Sequence, residues 1–144
     1  MMMSKSIEIF VDGASRGNPG PSGIGIALFS DGKNVVKKLF KFIGNATNNI
    51  AEYTALIYAL QEALIDRYTN VTIKSDSELL IRQLKGEYKV KNENLKVYYE
   101  QFVHLSRGFD KIDLVLISRK DNSLADKLAN KAIDSRIDSV LKTE

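Results

Sequence analysis

The chain contains no cysteine, which excludes disulfides and thiolate zinc sites and suits a reducing compartment. Its one histidine, His104, lies in Phe102-Val103-His104-Leu105 with no acidic partner or ligand spacing beside it, and reads as a packing or surface residue. No apolar run approaches the roughly 20 residues of a membrane span. The opening Met1-Met2-Met3-Ser4-Lys5 lacks the apolar core of a signal peptide. Charge of one sign is scarce too: a net +3 is compatible with a polyanionic partner but implies none. Internal repeats and low-complexity tracts are absent, so 144 residues make one ordinary domain. With 44% hydrophobic and 27% charged residues, that domain is expected to bury a core and to reside in the cytoplasm, away from membranes.

Hydrophobic periodicity orders the elements as strand, strand, strand, helix, strand, helix, helix, strand, helix. Residues 6–12 alternate, residues 22–30 form a second strand, and Asp31-Gly32 is a hairpin turn into a third strand at 34–42. Ile50, Tyr53, Ile57, Leu60 and Leu64 step by three and four, predicting a helix over about 48–66. A short strand at 71–75 follows, then helices marked by Leu79, Leu80 and Leu84 and by Leu95 to Leu105. A last strand at 112–117 precedes a helix whose inward face is Ala125, Leu128, Ala129 and Ala132. Three strands joined by turns, then strands alternating with helices, imply an α/β fold with a mixed sheet and helices packed on it. The domain is expected over 6–136, between a disordered N-terminus at 1–5 and a frayed C-terminus at 137–144.

The segment from Asp12 to Gly25, Asp-Gly-Ala-Ser-Arg-Gly-Asn-Pro-Gly-Pro-Ser-Gly-Ile-Gly, carries most information. An alternating strand delivers Asp12 to its end, and Gly13 leaves room for a bulky polyanion to approach the backbone. Three further single acids, Glu52, Asp76 and Asp126, stand at the edges of predicted elements. Each has an ordinary alternative. Asp12-Gly13 suits a turn, Asn49-x-x-Glu52 a capping arrangement, Asp76 a helix N-cap, and Asp126 a solvated helix face. Taken together they point elsewhere. If the first and fourth strands are parallel neighbours, Asp12 and Asp76 end about 5 Å apart. Such a cluster repels itself and raises at least one pKa unless hard cations such as Mg2+ or Mn2+ compensate it. Two ions held there suit phosphodiester cleavage.

With these residues in place the chain resembles ribonuclease H of type 1, over about residues 6–135. The motifs are Asp12-Gly13-x-x-x-Gly17-Asn18-Pro19-Gly20-Pro21-x-Gly23, Thr47-Asn48-Asn49-x-Ala51-Glu52, Ser75-Asp76-Ser77 and Arg119-x-x-Asn122-x-x-Ala125-Asp126-x-Leu128-Ala129. The resemblance implies a five-stranded mixed sheet flanked by helices, three strands antiparallel and then parallel ones. It implies an endonuclease hydrolysing the RNA strand of RNA/DNA hybrids, leaving 5'-phosphate and 3'-hydroxyl ends. Asp12, Glu52, Asp76 and Asp126 would hold two Mg2+ ions, with Mn2+ able to substitute. Gly13 would lie at the substrate, and Asn18, Asn48 and Asn49 would line the minor groove, where amides both donate and accept. Thr47 and Asn92, the latter in Val90-Lys91-Asn92, would grip a DNA-strand phosphate, with helix capping and a loop role as their alternatives. The expected partner is the hybrid duplex, met by a monomer with no obligate protein partner and no membrane.

Three features depart from that family. The loop Ser118-Arg119-Lys120-Asp121-Asn122-Ser123 lacks the histidine that many members carry, and Arg119 or Lys120 is expected to neutralise phosphate there. The connection Gly86–Asn94 is too short for the basic protrusion of some members, though Lys85, Lys89, Lys91 and Lys96 leave positive charge. Asn45 stands where members often place an arginine. No hybrid-binding domain precedes residue 6 and no polymerase follows residue 135, so a freestanding enzyme is expected. Two rival readings remain: a broader nuclease that also cuts double-stranded RNA, and an inactive hybrid-binding module.

Overall fold

A computed structural model describes residues 4–136 and 139–142. The elements run β1 (Ser6–Ser15), β2 (Gly20–Ser30), β3 (Asn34–Ala46), α1 (Asn48–Ile65), β4 (Asn70–Ser75), α2 (Glu78–Leu84), α3 (Glu93–Ser106), β5 (Lys111–Leu116), a 3-10 turn (Lys120–Asn122), α4 (Ser123–Ser135) and β6 (Ser139–Lys142). The sheet order is β5-β4-β1-β2-β3-β6. β1, β2 and β3 are antiparallel neighbours, while β4 is parallel to β1 and β5 parallel to β4. The five-stranded mixed sheet is therefore present as expected, with one strand added.

The alternation of β1 separates its two faces. Ile7, Ile9 and Val11 are buried with Val71 and Ile73 of β4 and Ile24, Ile26 and Leu28 of β2. Onto that face α1 lays Tyr53, Leu56 and Leu60, and also Ala51, Ala55, Ala59 and Ala63, each fully buried. This alanine row, spaced by four, lets the helix axis sit close to the sheet. Apolar periodicity located the helix but passed over the alanines. α3 covers α1 through Leu95 and Phe102. On the opposite face α4 sets Leu128 and Ala132 against Ala27 and Phe40. It can approach because β2 offers Gly25 there: a Cβ on Gly25 would lie 2.6 Å from Ala129 N.

Parts of both expected tails lie among the described residues. Lys5 is tied down, its backbone N donating to Thr69 Oγ1 (2.8 Å) and its Nζ to Asp66 O (2.7 Å). Residues 139–142 pair antiparallel with Lys37–Phe40 of β3. Left-handed Arg136 (φ 54°) ends α4, and β3 otherwise exposes an edge of unpaired backbone groups that a following segment can satisfy. The remaining parts of both expected tails, 1–3, 137–138 and 143–144, lie outside the described residues.

Lys37 is a buried cation of β3, with Nζ 2.8 Å from Glu62 Oε1 and 2.6 Å from Asp66 Oδ2 of the α1 end. Burial alone would lower its pKa, but the bonds to Asp66 and Glu62 outweigh it and hold the value above the ordinary one. Lys37→Ala is expected to cost about 2–3 kcal/mol in denaturant unfolding at pH 7, because two half-buried carboxylates lose their cation. The raised pKa means that wild-type protein keeps this contribution throughout the neutral range and loses it only as pH climbs past the lysine's folded pKa.

Candidate active site

The parallel register of β1 and β4 pairs Phe10 with Lys74. Two residues farther along each chain stand Asp12 and Asp76, so the expected juxtaposition follows from the register itself. Asp12 does not end its strand, however: β1 continues to Ser15, and Asp12 lies opposite Gly25 of β2. What ends near Asp12 is the pairing with β4.

Glu52 arrives from α1. Thr47 is the helix N-cap, its Oγ1 accepting from Ile50 N (3.2 Å), so Glu52 is not part of a capping box. Its Oε1 instead accepts the backbone N–H of Gly13. A Cβ at Gly13 would overlap the Ala51 carbonyl and Glu52 N, so the missing side chain admits the helix. Asp76 is likewise not a cap, because Ser77 Oγ accepts from Leu80 N to start α2 (3.2 Å).

Asp12, Glu52 and Asp76 each present a carboxylate oxygen within 4.8 Å of the others. Asp12 is 7% and Glu52 5% exposed. Burial, then the charges of Glu52 and Asp76, push Asp12 up from 3.8 to about 9. Burial also pushes Glu52 up, to about 7, against the opposing pull of the Gly13 N–H. The group of three is thus strongly short of positive charge. All of its donors are hard carboxylate oxygens, the set that suits a divalent cation such as Mg2+, Mn2+ or Ca2+.

Asp126, the fourth expected acid, lies outside that close group. It is exposed on the first turn of α4, near enough to Asp12 to add to the upward push on its pKa. Its Oδ1 accepts from Asn130 Nδ2 (3.2 Å), and Asn130 Oδ1 accepts from Arg16 Nη2 (3.1 Å). Arg16 also pairs with Asp134 at 2.5 Å.

Of the other expected residues, Asn18, Asn48 and Asn49 are exposed, and Asn18 Oδ1 accepts from Asn48 N (3.1 Å). The turn after β1 is thereby docked on the start of α1. Asn92 caps α3, its Oδ1 accepting from Asn94 N (2.8 Å) and Leu95 N (3.3 Å). The capping alternative for Thr47 is therefore realised, while Asn92, whose alternative was a loop role, is the N-cap of α3. Arg119 is exposed at the start of the 3-10 turn, and His104 is exposed on α3.

Sequence reading assigned no role to Asn122, Asn130 or Arg16. Asn122 is 1% exposed, and its Nδ2 donates to Val11 O (2.8 Å) and Asp76 Oδ2 (3.3 Å), lashing the loop before α4 to β1 and to a site carboxylate. A signal was available for Asn130, which stands one helical turn after Asp126. For Arg16 there was none, since its contacts lie 114 and 118 residues away.

Residues 10–132 match the family described as reverse transcriptase-like. The chain is 38% identical to RNase H1 of the halophilic archaeon Halobacterium salinarum, whose crystal structure it matches with a TM-score of 0.88 over 90% of this chain and 98% of that one. The chain belongs to the ribonuclease H family. A second ribonuclease H structure, LC11-RNase H1 in complex with RNA/DNA hybrid, matches with a TM-score of 0.87 at 38% identity, over 90% of this chain and 98% of that one. The bifunctional protein Rv2228c of Mycobacterium tuberculosis is 39% identical over 134 residues, 92% of this chain. The chain spans only 37% of that relative's length. Among the described residues, no helix of this ribonuclease H domain is long and apolar enough to cross a membrane.

Proposed function

We propose that this ribonuclease H domain is an endonuclease that hydrolyses the RNA strand of RNA/DNA hybrids, leaving 5'-phosphate and 3'-hydroxyl ends. The observation that carries this is the group of buried Asp12 and Glu52 with half-buried Asp76, all within 4.8 Å, in a chain of this family. Two Mg2+ ions, or Mn2+ in their place, would supply an activated water and a Lewis acid for the departing 3' oxygen. Asp12, Glu52 and Asp76 would hold them, with Asp126 closing the site from α4. Gly13 N–H fixes one oxygen of Glu52 and so orients the carboxylate. Asn122 does the same for Asp76.

Recognition falls to groups around that centre. Asn18, Asn48 and Asn49 expose amides at the junction of the β1–β2 turn and α1, suited to minor-groove acceptors and 2'-hydroxyls. Because Asn92 Oδ1 is engaged in capping, its Nδ2 is the donor left for a DNA phosphate, and Thr47 would offer its hydroxyl hydrogen to the same group. Arg119 supplies exposed positive charge on the loop that leads into α4. The reading carries with it a cytoplasmic enzyme acting as a monomer, in keeping with the cysteine-free sequence.

A strand-labelled hybrid incubated with Mg2+, Mn2+ or EDTA tests the proposal, with duplex RNA and duplex DNA alongside. Cleavage of the RNA strand of the hybrid alone, abolished by EDTA, is expected. Cutting of duplex RNA at a comparable rate would replace the hybrid-specific reading with the broader nuclease, and hybrid binding without scission in either metal would replace it with a binding module.

A further inference from the structure

The four acids are not held alike. Asp12 and Glu52 are buried, Glu52 is bonded to Gly13 N–H, and Asp76 is bonded to Asn122. Asp126 is exposed on a helix face, where neither burial nor a strand fixes its rotamer. We propose that Asn130, itself oriented by Arg16, is a positioning residue that fixes the Asp126 carboxylate toward the other three. The inference rests on the reading of Asp126 as a site carboxylate.

The chemistry of the three groups permits a single arrangement. An arginine only donates and an ionised carboxylate only accepts, so a side chain bridging them must do both. Asn130 turns its Oδ1 to Arg16 Nη2 (3.1 Å) and its Nδ2 to Asp126 Oδ1 (3.2 Å). The same Nδ2 reaches Asp126 O (3.0 Å), so the amide is anchored on its own helix as well. Arg16 is held by Asp134 on the next turn of α4. Two residues along, Asn18 Oδ1 accepts from Asn48 N at the start of α1. The β1–β2 turn thus braces the helix that carries Glu52 and the helix that carries Asp126. Loss of the strut leaves the fold intact and lets one carboxylate wander.

Steady-state cleavage of a hybrid by Asn130→Ala, Asn130→Asp and Arg16→Ala, with Asp126→Asn as control, tests this. Asn130→Ala is expected to lower kcat about tenfold, the scale of one charge-assisted hydrogen bond. KM should stay within about twofold and Tm within about 2 °C, as for a surface change away from the core. Asn130→Asp keeps a partner for Arg16 but cannot donate and repels Asp126, so its kcat should fall further than that of the alanine variant. In metal-free protein, the side-chain amide resonances of Asn130 should move in both Arg16→Ala and Asp126→Asn. Wild-type kcat in Asn130→Asp, or Asn130 resonances indifferent to Asp126→Asn, overturns the strut. Full turnover in Asp126→Asn would instead overturn the reading of Asp126, whatever the Asn130 variants do.

Discussion

Replacing Asp12 with asparagine is expected to cut hybrid cleavage at least a hundredfold while making the metal-free protein more stable. The activity loss follows from removing the carboxylate that sits among all the others, since metal and electrostatic contributions are commonly of that size. The gain in stability follows from the same position. Asp12 has its pKa raised from 3.8 to about 9 by burial and by Glu52 and Asp76. Between those pH values the unfolded chain has released a proton that the folded chain retains. Stability therefore falls as pH rises through this window, and asparagine, which has no proton to lose, escapes the fall. In EDTA the variant should match wild type near pH 4 and exceed it by more than about 1.4 kcal/mol at pH 8, the worth of a single pKa unit. Mg2+ should narrow the gap by stabilising wild type alone. Thermal melts at both pH values, with and without Mg2+, decide it. A stability difference that does not change with pH would mean that the cluster is not short of positive charge.

The sequence disclosed the site to the extent that the site depends on period and register. Alternation in β1 and β4 set Asp12 and Asp76 at equivalent positions, each two residues past the last pair of the two strands, and a parallel pairing brings those positions together whatever the loops do. Helix periodicity placed Glu52 near the start of α1 and Asp126 in the first turn of α4. The parts that were not legible depend on distance across the fold. Asp76 was an acceptable N-cap until Ser77 was seen to hold Leu80 N. The alanine row of α1 carries little hydropathy, and its value lies in closeness to the sheet. β6 is four residues long, too short for a periodic signal, and exists because β3 offers an open edge. Asn122 and Arg16 act on groups more than 40 residues away, which no local pattern encodes.

Gly13 separates two physical explanations, and Gly13→Ala distinguishes them. If the glycine served to admit a polyanion, a methyl group would weaken hybrid binding, raise KM and leave the fold alone. The structure requires a different outcome. The methyl would overlap the backbone of Ala51 and Glu52, so α1 must move away from β1. Truncating a neighbouring side chain offers no relief, because the atoms in the way are the carbonyl of Ala51 and the amide of Glu52. Gly13 is in ordinary strand conformation, so the cost comes from space and not from its φ angle. Overpacking a well-filled interior costs about 1–3 kcal/mol, and a clash against helix backbone belongs at or above the upper end of that range. Moving α1 also separates Glu52 Oε1 from Gly13 N–H, the bond that opposes the upward push of burial on its pKa. Gly13→Ala should therefore lose about 3 kcal/mol in denaturant unfolding and at least tenfold in kcat, with the Mg2+ requirement shifted to higher concentration. A variant of wild-type stability with only KM altered would show that the gap beside Asp12 is kept for substrate and not for the helix.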